Sequence, residues 1–334
     1  MSLTILFDAT SLGFEYALLA VGIFITFRIL GMADLTVDGS FCLGMAVTCV
    51  FTVAGHPAIG LMAGAAAGAL AGCVTGLLAT KARINPLIAG IITSTGLYSI
   101  NVYVLGSPNL SLLGISKLYD GIHRLLFPGL PTSSEAQMPV TPGTIAPIDI
   151  SKFIFVILIV VAIIAVLIYF FKTESGLAMR AVGDNEQMSA ASSINVDFYK
   201  IGGLALGNAL VGLTGGILAQ CQGFGDMTSG TGMVLVGLAS VIIGEVFGGR
   251  RGVTSGLICT VVGSVVYRII IQVAVGVNLD ANSLKLISAI IVGTFMSLPA
   301  VRDFFSERKT RKHSYEGTNG DTLNSADLKG GKND

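Results

Sequence analysis

Nine stretches of this chain, roughly 12–32, 39–55, 58–80, 85–106, 151–171, 198–220, 232–249, 253–275 and 284–301, are apolar and nearly free of charge. A helix needs about 20 mostly apolar residues to cross a bilayer. A chain with this many such runs has no way to cover them all with a water-facing surface. Charged residues make up only 12% of the sequence, against about 25% in a typical soluble domain, and the mean hydropathy is +0.79. The expected fold class is all-α: a polytopic transmembrane helix bundle of about nine spans, with eight to ten as the range. The formal net charge is zero, so there is no basic footprint for nucleic acid. No short cleavable leader is evident at the N-terminus, and the first apolar stretch is expected to serve as a true span.

Lys and Arg in short loops set the orientation. Lys81 and Arg83 follow the third run, Lys172 and Arg180 the fifth, Arg250 and Arg251 the seventh, and Arg302, Arg308, Lys309, Arg311 and Lys312 the ninth. Nine crossings place all four groups on one side, taken as cytoplasmic. The transmembrane region then covers residues 1–302, with an external loop over 107–150. A polar tail over 303–334 lies in the cytoplasm and is too poor in apolar residues to fold. The external loop holds six of the nine prolines. Within it, Ile115, Leu118, Tyr119, Ile122, Leu125 and Leu126 recur at helical spacing opposite Lys117, Asp120, His123 and Arg124, which predicts a short amphipathic helix in the headgroup region; a passive connector is the alternative.

Gly60, Gly64, Gly68, Gly72 and Gly76 fall on every fourth residue of the third run. In water each would cost a helix about 1 kcal/mol against alanine. In a bilayer, helices associate through close approach of small residues. Four residues overshoot one helical turn by about 40°, so the line winds and can accept more than one neighbour. Gly203 with Gly207, and Gly212 with Gly216, repeat the spacing. These glycines specify close helix association and no particular activity.

Signatures of catalysis are missing. There is no HExxH, no GxSxG and no phosphate loop; the one Gly-Lys pair, Gly331-Lys332, lies in the tail. Cys42, Cys49, Cys73, Cys221 and Cys259 all sit in apolar runs without CxxC spacing, as small hydrophobes do. No catalytic residue, metal ligand or cofactor site is assigned in this chain. If ATP drives it, another subunit supplies the nucleotide site.

Three segments carry polar chemistry. GMADLTVDGSF places Asp34, Thr36, Asp38 and Ser40 between two apolar runs. Either Asp38 or Ser40 caps the helix that follows, or the segment is a broken helix lining a translocation path. QGFGDMTSGTGM echoes it, with Asp226 and Thr228 standing as Asp34 and Thr36 do. The two copies fall on opposite faces, as inverted repeats would place them. KTESGLAMRAVGDNEQMSAASSINVD, residues 172–197, is too polar to span; Thr173 or Ser175 is suited to cap a short helix running through Arg180, with a break at Gly183-Asp184-Asn185. It reads either as a solvated loop or as a cytoplasmic helix-turn-helix. Glu245 is placed for a local ion pair with Arg250 or Arg251, or for a gate contact. Arg28 and Arg268 are placed to snorkel.

TESGLAMRAVGDNEQMSAASSINVDFYK resembles the cytoplasmic loop of membrane permeases in bacterial ABC importers of the branched-chain amino acid and ribose superfamily. ADLTVDGSF, ARINPLIAGIITSTGLYSI and VIIGEVFGGRRGVTSGLICTVVGS resemble that superfamily as well, in the same order. The form DLTVDGSF is most similar to the tryptophan/tyrosine transport permease subgroup. The resemblance implies two inverted-repeat halves and a bacterial plasma-membrane location. It implies a permease homodimer, a separate cytoplasmic ABC ATPase that binds ATP and Mg, and an external substrate-binding lipoprotein. It makes 172–197 the coupling segment, with Glu174, Gly176, Arg180, Gly183 and Asn185 in or beside the ATPase groove, Arg180 pairing with an ATPase carboxylate or with Glu174, and Gly183 permitting a turn. The implied activity is ATP-driven import of a small solute, an amino acid and more narrowly an aromatic one. A sugar or other small solute is the alternative within the class. An ion-coupled secondary transporter using Asp34, Asp38 and Asp226 is the alternative outside it.

Overall fold

The computed structural model describes residues 3–130, 132, 146–248, 252–275 and 293–294. The chain divides into two units, Met1–Ser288 and Ala289–Asp334. Of the second, only residues 293–294, a helical fragment, are described. The ninth run apart from 293–294, the tail and the Arg250-Arg251 pair lie outside the described residues, as do Pro131, Pro139 and Pro142.

The first unit is helical. Helix α1 (Leu3–Glu15) continues into α2 (Ala17–Ile23) and a π-helical stretch, Phe24–Ile29. Then come α3 (Val37–Val53), α4 (Pro57–Thr80), α5 (Pro86–Leu105), strand β1 (Asn109–Ser111), α6 (Tyr119–Leu126) and α7 (Pro147–Phe170). The chain goes on through α8 (Glu174–Asp184), α9 (Glu186–Ala191), α10 (Val196–Gln222), strand β2 (Phe224–Asp226), α11 (Met233–Gly248) and α12 (Val253–Val275). Six helices have the length and apolarity to cross a bilayer: Thr4–Ile29, Pro57–Thr80, Pro86–Leu105, Pro147–Phe170, Val196–Gln222 and Val253–Ala274; Val37–Val53 and Met233–Phe247 are apolar but shorter. These eight fall on the first eight predicted runs. Boundaries differ where turn chemistry outranks hydropathy: the first helix starts at Leu3, and α7 starts at Pro147, four residues inside the expected external loop.

Local sequence starts and stops the helices. Proline occupies the first turn of α4, α5 and α7, where its missing N–H costs nothing. Asn85, Asn185 and Asn195 each accept a backbone N–H as caps, from Leu87, Met188 and Phe198 at 3.0, 3.0 and 3.1 Å. Gly106 (φ 67°) and Gly223 (φ 80°) end α5 and α10 in left-handed geometry, which residues with a Cβ seldom adopt.

The glycine line on α4 faces two neighbours. A Cβ on Gly60 would lie 2.9 Å from Phe51 Cβ, and one on Gly64 would lie 2.7 Å from the Gly44 carbonyl oxygen, both on α3. Gly68 and Gly72 press on the carbonyls of Asn208 and Leu204, and a Cβ on Gly76 would lie 2.8 Å from Ile201 Cα, all on α10. Gly44 in turn lies on Gly212, so α3, α4 and α10 meet backbone to backbone.

These close contacts also give direction. Gly22, Thr26 and Leu30 lie on Val211, Gly207 and Gly203, so α2 and α10 run antiparallel. Helix α10 runs beside α3 and antiparallel to α4, while α2 runs beside α11 (Gly237 on Ile23) and antiparallel to α12 (Gly256 on Phe24). The order first helix, α3, α4 is thereby repeated upside down as α10, α11, α12, and each leading helix packs against the following pair of the other half.

At one end of the bundle β1 and β2 pair antiparallel, with Leu110 opposite Gly225. Two three-residue strands are the sheet content among the described residues. Beside them α6 buries Tyr119, Asp120 and His123, whereas Arg124 and Leu126 are exposed and Leu125 is 82% exposed. His123 Nδ1 lies 3.0 Å from Ser151 Oγ of α7. The amphipathic segment is thus helical only from Tyr119, and each of its two sides is part buried and part exposed. At the opposite end sit Lys81, Arg83, Lys172, Arg180 and Lys200. Lys81 Nζ bonds Asp197 at 2.7 Å, and Lys200 Nζ bonds Glu186 at 2.6 Å.

Candidate functional site: the joint of the two short helices

After Gly223 the chain enters the bundle extended along α3. Gly225 lies over Cys49, the Asp226 N–H reaches Met45 Sδ at 3.3 Å, Cys42 Sγ donates to the Met227 carbonyl at 3.1 Å, and Gly230 lies over Cys42. Helix α11 then starts against the first turn of α3. Asp38 accepts the N–H of Gly232 on Oδ2 and of Val234 on Oδ1, both at 3.0 Å. The carboxylate therefore sits at the positive ends of two helices whose N-termini meet.

This corrects the expectation that Asp38 or Ser40 caps α3. The residue at that cap is Thr36, which makes no side-chain cap bond. Asp38 lies inside α3 and caps the partner helix 194 residues later. Ser40 is fully buried, and its hydroxyl has no partner among the described residues.

Asp34 and Asp226 make the same local turn: each Oδ1 accepts the N–H of the threonine two residues on, Thr36 or Thr228, at 2.8 Å. Their wider settings differ. Asp34 is buried, and its Oδ2 takes Asn208 Nδ2 at 2.6 Å, while Thr36 Oγ1 lies 2.7 Å from Thr75 Oγ1. These bonds tie the turn to α10 and α4. Asp226 instead accepts Thr228 Oγ1 and Ser229 Oγ, at 2.9 and 3.0 Å on Oδ2, and Thr228 is exposed.

A cavity of about 340 Å³ opens beside this joint, bounded by Asp38, Ser94, Thr95, Tyr98, Asn101 and Thr231 among others. Asp38 alone of the six expected pathway residues reaches it. The polar wall comes from α5, where Ser94, Thr95, Tyr98 and Asn101 share one stripe at helical spacing. That stripe was readable in the sequence as three hydroxyls and an amide recurring three and four residues apart in an apolar run. Thr231 carried no such signal. Asn101 Nδ2 donates to the Gly39 carbonyl at 3.3 Å and fixes α5 on α3.

At the basic end, α8 and α9 form a compact helical pair. Thr173 caps α8, accepting the Gly176 N–H at 3.4 Å, and α8 continues to Asp184, so the break falls at Asn185. Gly183 lies within the helix and permits contact, not a turn: it presses on the Ile29 carbonyl at the end of the π stretch. A Cβ on Gly176 would lie 2.5 Å from Phe171 Cα. Arg180 faces inward onto a cavity of about 270 Å³ shared with Arg28, Asp184 and Glu245. No ion pair of Arg180 with Glu174 occurs among the described residues. Glu174 and Asn185 are exposed, as are two apolar side chains the sequence reading passed over, Leu177 (53%) and Met188 (70%). Glu245 pairs with Arg28, Oε1 to Nε 2.6 Å, across the two halves. Arg268 does not snorkel; its guanidinium lies 3.7 Å from the centroid of the Tyr16 ring.

Crossing helices, a polar cavity at the meeting of two short helices and a compact helical pair at the basic end define a multi-pass membrane permease. The chain belongs to the branched-chain amino acid transport system permease component family of ABC permeases, whose sequence model matches residues 5–296. It is similar to the tyrosine transport system permease protein of Clostridioides difficile (strain R20291), 31% identical over 84% of this chain and 86% of that one. It is also similar to an uncharacterized protein of Rickettsia prowazekii (strain Madrid E), 30% identical over 85% and 93%. The ribose import permease protein of Bacillus subtilis (strain 168) is 30% identical over 70% and 67%. No solved structure matches the chain significantly.

Proposed function

We propose that the chain imports an amino acid, more narrowly an aromatic one, across a bacterial plasma membrane as one of two permease copies. The observation that carries this is the cavity at the α3–α11 joint. It opens onto a face of α5 where Thr95, Tyr98 and Ser99 are exposed among isoleucines. Hydroxyls facing hydrocarbon are costly, and a second copy across that face would cover them and close a path between the two. In this reading Asp38, Ser94, Thr95, Tyr98 and Thr231 meet the solute. Asp34, Thr36, Asp226 and Thr228 hold the turns that shape the path. The tyrosine transport relative supports the substrate class.

The basic end faces the cytoplasm by the charge rule. A separate ATPase with ATP and Mg docks there, on Glu174, Leu177, Asn185 and Met188. Its motion enters through Gly183 on Ile29 and through Arg180, and thence into the π stretch and the Arg28–Glu245 pair. π-Helical segments often mark functional positions. A lipid-anchored binding protein delivers solute at the opposite end.

Reconstituted uptake tests this. Uptake that needs the ATPase and ATP is expected. Uptake by the chain alone under a proton or sodium gradient refutes the reading in favour of an ion-coupled carrier. Leu177→Asp with Met188→Asp is expected to leave the chain inserted while abolishing co-purification of the ATPase, and Arg180→Glu to impair association and transport.

A further inference from the structure

A second cavity at the basic end, about 600 Å³, lies between the end of α7, the α8 helix and the first turn of α12. Lys172 and Arg180 both line it, with Thr254 and Ser255, and no carboxylate among the described residues borders it. Neither cation forms an ion pair among the described residues. The neighbouring cavity has the acidic groups, and there Glu245 is already held by Arg28. The first turn of α12 adds to the positive field: its first intrahelical bond is Gly256 N–H to the Gly252 carbonyl at 2.9 Å. The N–H groups of residues 253–255 thus have no preceding turn to bond.

The remaining walls are apolar and face outward. Phe171 closes the inner side, and Ile258, 50% exposed, continues the cavity onto the surface of α12. Helix α7 ends at Phe170, and the apolar stretch ends one residue later at Phe171, directly before Lys172. The cations therefore sit where hydrocarbon gives way to headgroups. A soluble anion would use the cations and hydroxyls but leave the apolar groove empty; a phospholipid uses both.

We propose that this cavity binds the phosphate headgroup of an anionic membrane lipid, with Lys172 and Arg180 on the phosphate, Thr254 and Ser255 donating to it, and an acyl chain along Ile258. Two basic residues at the membrane surface favour an anionic over a zwitterionic lipid by about 30-fold.

Native mass spectrometry of the purified full chain tests this, with phosphatidylglycerol and phosphatidylcholine offered in equal amounts. The expected result is one retained phosphatidylglycerol per chain, at least tenfold over phosphatidylcholine. Lys172→Gln with Arg180→Gln should remove that preference, and Lys81→Gln with Arg83→Gln, at the same end but outside the cavity, should keep it. Lys172→Gln alone, at an exposed position, should lower retention about fivefold and guards against misfolding of the double variant. Equal retention in wild type and both Lys172 variants overturns the proposal. Displacement of the lipid by millimolar glycerol 3-phosphate overturns it too, assigning the cavity to soluble phosphates. The measurement needs no ATPase, so its outcome is independent of the coupling reading.

Discussion

Replacing Asp38 by asparagine should release the entering segment 223–232 from α3 without unfolding the bundle. Each oxygen of the carboxylate accepts one backbone N–H of the α11 start at 3.0 Å. A hydrogen bond to a charged group contributes about 1.5–3 kcal/mol. Asparagine keeps one acceptor, now neutral, and turns its NH2 toward the other N–H. With the open cavity supplying some water, the loss is about 2–3 kcal/mol, or about 30- to 140-fold in the opening equilibrium. Cys42 reports it, because Gly230 covers its sulfur and Cys42 Sγ donates to Met227 at 3.1 Å. In a chain whose other cysteines are alanine, maleimide reaches Cys42 through local opening, so its labelling rate follows that equilibrium. The expected acceleration in Asp38→Asn is about 30- to 140-fold. A change under threefold, in protein that still elutes as folded, refutes the view that Asp38 clamps the two short helices.

Three further outcomes can be measured by thermal unfolding in detergent. Gly68→Ala, whose Cβ would press on the Asn208 carbonyl, should cost about 1–3 kcal/mol or more, whereas Gly96→Ala, with nothing within 4 Å, should be neutral or stabilising; equal shifts refute the α4–α10 contact. Asn208→Leu removes the 2.6 Å donor to Asp34 and should cost about 1.5–3 kcal/mol, and an unchanged midpoint refutes that role. Lys117 lies outside the spans, and burial first, then the Lys152 charge, holds its pKa below 10.5. Between the folded pKa and 10.5 the unfolded chain binds more protons, so this residue makes stability rise with pH across that window. The wild-type midpoint should rise relative to that of Lys117→Met over that range, and a relative fall refutes the assignment.

Much of the architecture is legible in one dimension because its causes are local. Hydrocarbon demands apolar helices with internally satisfied backbones, so eight of them, six long enough to span, could be read off the apolar runs. Asn85, Asn195 and Thr173 mark helix starts, and Gly106 and Gly223 mark stops, through bonds within a few residues. The echo of Asp34-Leu-Thr36 in Asp226-Met-Thr228 is likewise a local turn written twice. Misreadings came where a local rule met a distant partner. Asp38 resembles a cap for its own helix, yet α3 is started by Thr36 and the carboxylate serves α11. What Arg180 meets within the chain was not legible either: it lies half-buried between two cavities because Gly176 and Gly183 let α8 lie against the Phe170–Phe171 turn and Ile29. The segment around α6 has the amphipathic period, but what its polar side meets was settled by His123 finding Ser151.

The sequence by itself determined that this chain is a bundle of membrane helices, that α4 carries a winding line of close approach, and that two similar turns precede two short helices. Those follow from hydropathy, helical period and turn chemistry, each of which acts over a few residues. Only the tertiary structure decided that the glycine line is shared between α3 and α10, that the short helices meet end to end on one carboxylate, and that the polar stripe of α5 opens onto that joint. The contacts with α10 and α11 join residues 125 to 196 positions apart. They depend on how inverted halves interlock, and nothing in the local chain encodes which distant backbone fills the space a missing side chain leaves.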